Sequence, residues 1–263
     1  RDPSKQALVE EYAELLFEKR RRRGITQGEA FRFMRERNYF AAAMVESGHA
    51  DAAISGLTRN YPATIRPALQ VIGKEDHVNK LAGMYILITN KGPLFLADTT
   101  INFHPTVEDL VDITVLVHEK VKRLKIQPKI AMLSYSNFGS SDGDEAKLIS
   151  KAVETLHHQH PDIRVDGEIQ ANFALNPELL KENFPFSHLV DQKVNVLIFP
   201  NLSAGNIAYK LIQEMGGTVD SIGPVLLGMK KTFQVLQLGS SVREIVNMVS
   251  IAAVQAQSLN SND

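Results

Sequence analysis

The stretch KIAMLSYSNFGSSDGDEAKLISKA, residues 129–152, decides the fold. After Lys129, the run Ile130-Ala131-Met132-Leu133 is short, apolar and suited to a strand covered on both faces. Ser134 to Gly143 is a loop of small and hydroxyl-bearing residues. From Glu145 to His158 the apolar residues fall at helical spacing. Strand, glycine-containing loop, helix is the building unit of an α/β protein. The same order returns at VNVLIFPNLSAGNIAYKLIQ, residues 194–213, where Val194 to Phe199 is the clearest strand in the chain.

Upstream, Leu8, Tyr12, Leu15 and Leu16 space a first helix, which Gly24 ends with the cations Lys19 to Arg23 in its last turn. Thr26 and Glu29 form a capping box for the next helix. A helix near Tyr39 to Glu46 leads into Asp51 to Gly56, read as a short buried strand and loop, and Pro62 and Pro67 flank a further helical start. Gly83 to Ile88 and Pro93 to Ala97 are strands, and Val107 to Leu124 is a helix. Beyond the central stretch come a short strand at Arg164 to Asp166, a strand at Gly223 to Leu227, a last helix from Val242 to Ala256 and a polar tail, Ser258 to Asp263. Alternating strands and helices give an α/β class with largely parallel sheets.

Composition removes several functions. A net charge of −1 supplies no global field toward nucleic acid or an anionic membrane. No apolar run reaches the length of a membrane span. With no cysteine there is no disulfide framework, thiolate nucleophile or cysteine metal site. The composition fits the cytoplasm. The chain begins at Arg1 rather than Met and is expected to be a piece of a longer polypeptide. His157, His158 and His160 lie at a helix end without an acidic cluster, so no metal site is expected there.

Ligands of open α/β sheets gather at the carboxyl ends of strands. Two loops qualify, Ser134 to Gly143 and Pro200 to Lys210. Their small residues let backbone N–H groups approach an anion, and their hydroxyls add donors. Neither has the spacing of a P-loop or a dinucleotide fingerprint. An ordinary strand-to-helix connection is the other reading of each, and both stay open at this point.

At these loops the sequence resembles the phosphotransacetylase (phosphate acetyl/butyryl transferase) family. KIAMLSYSNFGSSDGDEAKLISKA resembles the family's segment around AMLSYSTKGS. PDIRVDGEIQANFAL (161–175), VNVLIFPNLSAGNIAYKLIQ, DAAISGLTRNYPATIRPALQ (51–70) and LFLADTTIN (94–102) match four further family motifs in the family's order. The resemblance runs from about residue 10 to residue 256. It implies a two-lobed, three-layer αβα fold of the isocitrate/isopropylmalate dehydrogenase type, with the first part of the amino-terminal lobe missing. Residues 1–74 with 227–263 would form one discontinuous lobe and residues 75–226 the other, with a cleft between them.

The family moves an acetyl group between CoA and phosphate, using arginines for the phosphoryl group, a serine and an arginine for the oxyanion, and an aspartate as base for the thiol. Here the resemblance retains Arg20 and Arg66. It puts Glu214 in place of a later arginine. In KTFQVLQLGSSVREIV (231–246) it puts Gln237 in place of the serine, Leu238 in place of the neighbouring arginine and Glu244 in place of the aspartate, a remnant base. No intact catalytic set is therefore expected. Ligand contacts are expected from Arg20, Arg66, Ser134, Tyr135, Ser136, Gly139, Ser140, Gly205, Asn206, Tyr209 and Lys210. Retained fold motifs beside lost catalytic groups resemble the carboxyl-terminal half of large bacterial NADP-dependent malic enzymes. That resemblance implies a regulatory domain with acetyl-CoA or CoA as effector, the malic-enzyme catalytic domain of the same polypeptide as partner, and self-association through dimers. NADP and a divalent metal would belong to the catalytic half alone. The alternative is an active phosphate acetyltransferase, and a third reading is a purely structural oligomerisation module.

Overall fold

In the computed structural model, which describes residues 6–215 and 220–260, the opening RDPSK and the last three residues of the expected polar tail lie outside the described residues. The chain divides into two units, residues 1–77 with 224–263 and residues 78–223.

The first unit opens with α1 (Gln6–Arg20), α2 (Gln27–Met34), α3 (Arg37–Glu46), β1 (Ala52–Gly56) and α4 (Tyr61–Val71). After α1 and a 3-10 turn, Gly24 takes the left-handed conformation (φ 87°), and both bonds of the Thr26–Glu29 capping box are made. The buried face of α1 is Val9, Tyr12, Ala13 and Leu16, whereas Leu8 and Leu15 are only half-buried. Tyr12 explains the choice of face: its ring meets Phe40 edge-on at 5.1 Å and its hydroxyl bonds His49 Nδ1 at 2.6 Å. In α4, Asn60 caps the first turn by accepting from the Ala63 N–H at 3.0 Å. Pro67 lies inside this helix instead of flanking it.

The second unit contains β2 (Ala82–Thr89), β3 (Gly92–Ala97), α5 (Val107–Arg123), β4 (Ile130–Leu133), α6 (Asp144–Gln159), β5 (Val165–Ile169), α7 (Ala171–Ala174), α8 (Pro177–Asn183), β6 (Val196–Ile198) and α9 (Leu202–Met215). The chain continues through β7 (Asp220–Leu227), β8 (Thr232–Leu236) and α10 (Val242–Asn260). Six strands form one sheet in the order β5-β4-β6-β3-β2-β7, and β1 pairs with β8 in a second. The pairs β4–β5, β4–β6, β3–β6 and β1–β8 are parallel. The expectation of largely parallel sheets needs one correction: β2 and β3 are antiparallel, with Thr89 opposite Gly92. A two-residue connection can join only antiparallel strands.

Strand β8 was not expected from the sequence. Phe233 and Val235 are buried, but so are Thr232 and Gln234, whose polar types hide the strand. Gln234 is satisfied inside: it accepts from the Leu226 N–H at 2.8 Å and donates to Gln255 at 2.8 Å. Strand β1, expected to be buried, is half-buried along its length. In the second unit the core gathers Tyr85, Leu96, Leu133, Ile169, Leu197 and Tyr209 around the sheet.

Candidate functional site

Parallel strands β1 and β8 end side by side, with Gly56 opposite Leu236. Gly56 has φ 120°, and a β-carbon there would collide with the Leu236 carbonyl, so no other residue fits. At these carboxyl ends lies a cavity of about 880 Å³ lined by residues of the first unit alone. That is where an α/β sheet holds ligands. Its floor includes Ser55, whose hydroxyl donates to Asn38 Oδ1 at 2.6 Å. Its rim carries Arg32, Arg35, Arg37 and Arg59. Arg59 is ion-paired to Glu36. None of these cavity residues was expected from the sequence as a ligand contact, although residues 54–59 and Thr64 fall in the motif at 51–70. The available signal was the polar pair Ser55-Gly56 at the end of a strand.

Gln237 and Leu238 follow directly on Leu236, a lining residue, so the two positions where the resemblance expects a replaced serine and arginine begin at the cavity margin. Leu238 is 64% exposed and adds no hydrogen-bond donor. Glu244, expected from the resemblance as a remnant base, is engaged at the start of α10: it accepts from the Ser241 N–H at 2.7 Å while the Ser241 hydroxyl accepts from the Glu244 N–H at 3.2 Å. Arg20 and Arg66 come within electrostatic reach of one group, the Tyr39 phenol. Burial, and secondarily Glu36, hold that phenol above its ordinary value, and the two guanidiniums oppose the shift. Arg20 Nε is buried without a hydrogen-bond partner, and neither arginine lines the cavity.

The loop after β4 departs from the expected anion cradle. Glu168 of β5, 1% exposed, lies beneath it. Its Oε1 accepts from the Ser136 hydroxyl at 2.9 Å and from the Gly139 N–H at 2.6 Å. The Ser136 hydroxyl accepts from the Ser141 N–H at 3.1 Å, and Ser140 Oγ accepts from the Asn137 N–H at 2.9 Å. The Ser134 and Phe138 N–H groups donate to the backbone carbonyls of Ile169 and Glu168. Donors expected to face an anion are thus used on the protein's own carboxylate and carbonyls. Tyr135, 53% exposed, remains open to solvent.

The loop after β6 is likewise engaged in internal contacts. Gly205 packs so tightly that a β-carbon there would lie 2.5 Å from the Asp98 carbonyl oxygen. Asn206 donates to the Thr99 carbonyl at 3.3 Å. Tyr209 is buried and stacks on Tyr85 at 3.7 Å. Gly205 and Asn206 dock α9 against the 98–102 turn, and Tyr209 docks it against β2. Lys210 is exposed, with its ammonium 5.5 Å from the Tyr209 ring centre, and Glu214 is exposed further along α9. The turn is organised by Asp98, a residue not singled out from the sequence. Its buried carboxylate accepts from the N–H groups of Gly83, Thr100, Ile101 and Asn102 at 2.8–3.2 Å.

Among the described residues no group of three or more His, Cys, Asp or Glu side chains could hold a metal ion, and no helix is long and apolar enough to cross a membrane. His157 Nε2 bonds the Val165 carbonyl at 2.9 Å, and its ring lies 4.7 Å from that of His188.

A family model described as phosphate acetyl/butaryl transferase matches residues 1–253. The phosphate acetyltransferase of Clostridium acetobutylicum is 34% identical over 263 residues, covering 97% of this chain and 78% of that enzyme. The NADP-dependent malic enzyme of Salmonella typhimurium is 38% identical over 257 residues, covering 97% of this chain and 33% of that enzyme. The EutD phosphotransacetylase from Staphylococcus aureus superposes with a TM-score of 0.87 at 30% identity, covering 97% of this chain and 78% of that one. The chain therefore spans about a third of the length of the malic enzymes it matches. The fuller coverage, 75–78%, is to proteins named phosphate acetyltransferase or phosphotransacetylase, the solved structure from Streptococcus pyogenes among them.

Proposed function

Since this chain belongs to the phosphate acetyl/butaryl transferase family, we propose that its ligands are an acyl-CoA, acetyl-CoA first among them, and a phosphate. The observation that carries this reading is the cavity at the ends of β1 and β8, which combines a hydroxyl, a glycine and arginines in a volume of small-ligand size. Arginine is the side chain best matched to phosphate. The associated activity is transfer of an acetyl group between CoA and phosphate. Thiolate attack on the acyl carbon of acetyl phosphate would release inorganic phosphate. In that reaction Glu244 would accept the thiol proton after leaving its bond to the Ser241 N–H.

One observation favours the second reading, a regulatory domain of an NADP-dependent malic enzyme that holds acetyl-CoA without turning it over. By the resemblance, Gln237 and Leu238 stand where the family has a hydroxyl and a cation, and Glu214 where it has a further cation. Loss of one oxyanion donor alone lowers turnover by on the order of 100- to 1000-fold. Binding the ground state needs none of these groups. In this reading the signal passes to a malic-enzyme half, which would bring its own NADP and divalent metal. A cytoplasmic location and assembly through dimers accompany both readings.

Acetyl phosphate formation from acetyl-CoA and phosphate separates the two. Turnover abolished by Glu244→Gln supports the transferase. Saturable acetyl-CoA binding without turnover supports the regulatory domain. Absence of both removes the proposal.

A further inference from the structure

The charge around the first unit's cavity exceeds what the protein itself neutralises. Arg59 is paired with Glu36. Among the described residues, no carboxylate is ion-paired to Arg32, Arg35 or Arg37, and all three are exposed on the rim. Arg32 and Arg35 rest over the Phe33 and Phe31 rings at 5.8 and 5.1 Å, contacts that leave the guanidinium edges free to donate. The nearest acid before Arg32 is Glu29, which is held in the Thr26 capping box. Helix α3 begins at the same rim, and its N-cap residue Glu36 makes no side-chain cap. The first N–H groups of α3 therefore add positive potential beside Arg37. The wall also includes apolar side chains, Ala41, Ile54, Leu57 and Leu236.

Four arginines line this one concavity against a single lining acid, Glu36, which is taken by Arg59; Glu29, held in its capping box, offsets Arg32 in part. A single phosphate dianion would neutralise only part of them. Two or three phosphate groups would match both the number and the fork geometry of the donors. The apolar wall would take a flat heterocycle, and the volume suits one small molecule.

We propose that this cavity is a nucleotide site, in which Arg32, Arg35 and Arg37 with the amino end of α3 hold a ligand bearing at least two phosphate groups. The inference rests on the ligand class proposed above and deepens it. The nucleotide end of CoA is one source of this chemistry, and a free adenine nucleotide is the other. The arginines act here as binding residues, distinct from the missing oxyanion groups.

The test is calorimetry on the whole chain with acetyl-CoA, adenosine 3′,5′-bisphosphate, ADP, pyrophosphate and orthophosphate, repeated on an Arg35→Gln/Arg37→Gln double variant. Both positions are exposed, so thermal unfolding should be unchanged and serves as the folding control. Each arginine–phosphate contact contributes about tenfold or more in affinity. The double variant is therefore expected to lose about 100-fold for acetyl-CoA and the bisphosphate, with pyrophosphate competing and orthophosphate much weaker. Dependence on salt should also fall, because a charge pair has been removed from an open rim. Equal acetyl-CoA binding by wild type and variant would overturn the nucleotide site while leaving the family ligand in place. Arginine-dependent binding of ADP without binding of acetyl-CoA would do the reverse. Orthophosphate binding as tightly as pyrophosphate, or no binding of any nucleotide, would also overturn it.

Discussion

Gly56 and Leu236 face each other at the ends of two parallel strands, so closely that a β-carbon on Gly56 would strike the Leu236 carbonyl. This contact fixes where the 237–241 turn leaves β8, and hence the margin of the cavity. Gly56→Ala combines that collision with an unfavourable φ of 120°. The expected loss is about 2 kcal/mol or more. It should be read as a lower unfolding midpoint together with weakened ligand binding. An unchanged midpoint would show that the strands separate easily.

The Glu168 carboxylate supports the 134–141 loop from below through Ser136 and Gly139. Glu168→Ala leaves the part-buried Gly139 N–H without its acceptor and the Ser136 hydroxyl with Ser140 Oγ alone, which costs about 1–3 kcal/mol. Proteolysis within the loop should accelerate. Binding of a phosphate ligand tightened by this substitution would revive the anion-cradle reading of the loop.

Gly205→Ala should unseat α9, because its β-carbon would sit 2.5 Å from the Asp98 carbonyl oxygen. Overpacking of this kind destabilises by about 1–3 kcal/mol. Hydrogen exchange of the 202–215 amides would rise ahead of the sheet amides. A uniform change across the second unit would count against a local docking role.

Burial, reinforced by Arg123, lowers the Lys120 ammonium to about 8. Between that value and the ordinary lysine range, the unfolded chain binds the extra proton. This group's destabilising effect is complete below pH 8 and is relieved as pH rises from about 8 toward 10.5. Lys120→Met keeps the volume and removes the charge. It should stabilise the protein at pH 7 by about 3 kcal/mol, with the gain shrinking as pH rises to 10. A gain independent of pH would rule out this origin.

Gln237→Ser with Leu238→Arg introduces a hydroxyl and a cation at the turn after β8. Acetyl phosphate formation should rise by on the order of 100-fold. High turnover already present in the unaltered chain, and unmoved by the pair, would favour another set of oxyanion donors.

The fold was legible where local rules act alone. The Thr26–Glu29 box, the Gly24 terminus and the strand–loop–helix units at 130–159 and 196–215 follow from short-range spacing. Strand β8 was hidden because Thr232 and Gln234 read as solvent-facing, and their partner Gln255 lies 21 residues from Gln234. The antiparallel β2–β3 pair was obscured by apolar runs that look alike in either direction. Ligand loops were only partly legible. A serine–glycine loop reads as an anion cradle until a buried acid such as Glu168, 32 residues from Ser136, is found beneath it. The arginine cavity depends on α2, α3, β1, α4 and β8 meeting at one sheet end, which no local pattern encodes.

Calorimetric titration of the unaltered chain with acetyl-CoA tests the proposed ligand most directly. The expected result is saturable heat, displaced by CoA, with a matching rise in the unfolding midpoint. No heat and no thermal shift at millimolar acetyl-CoA would contradict it.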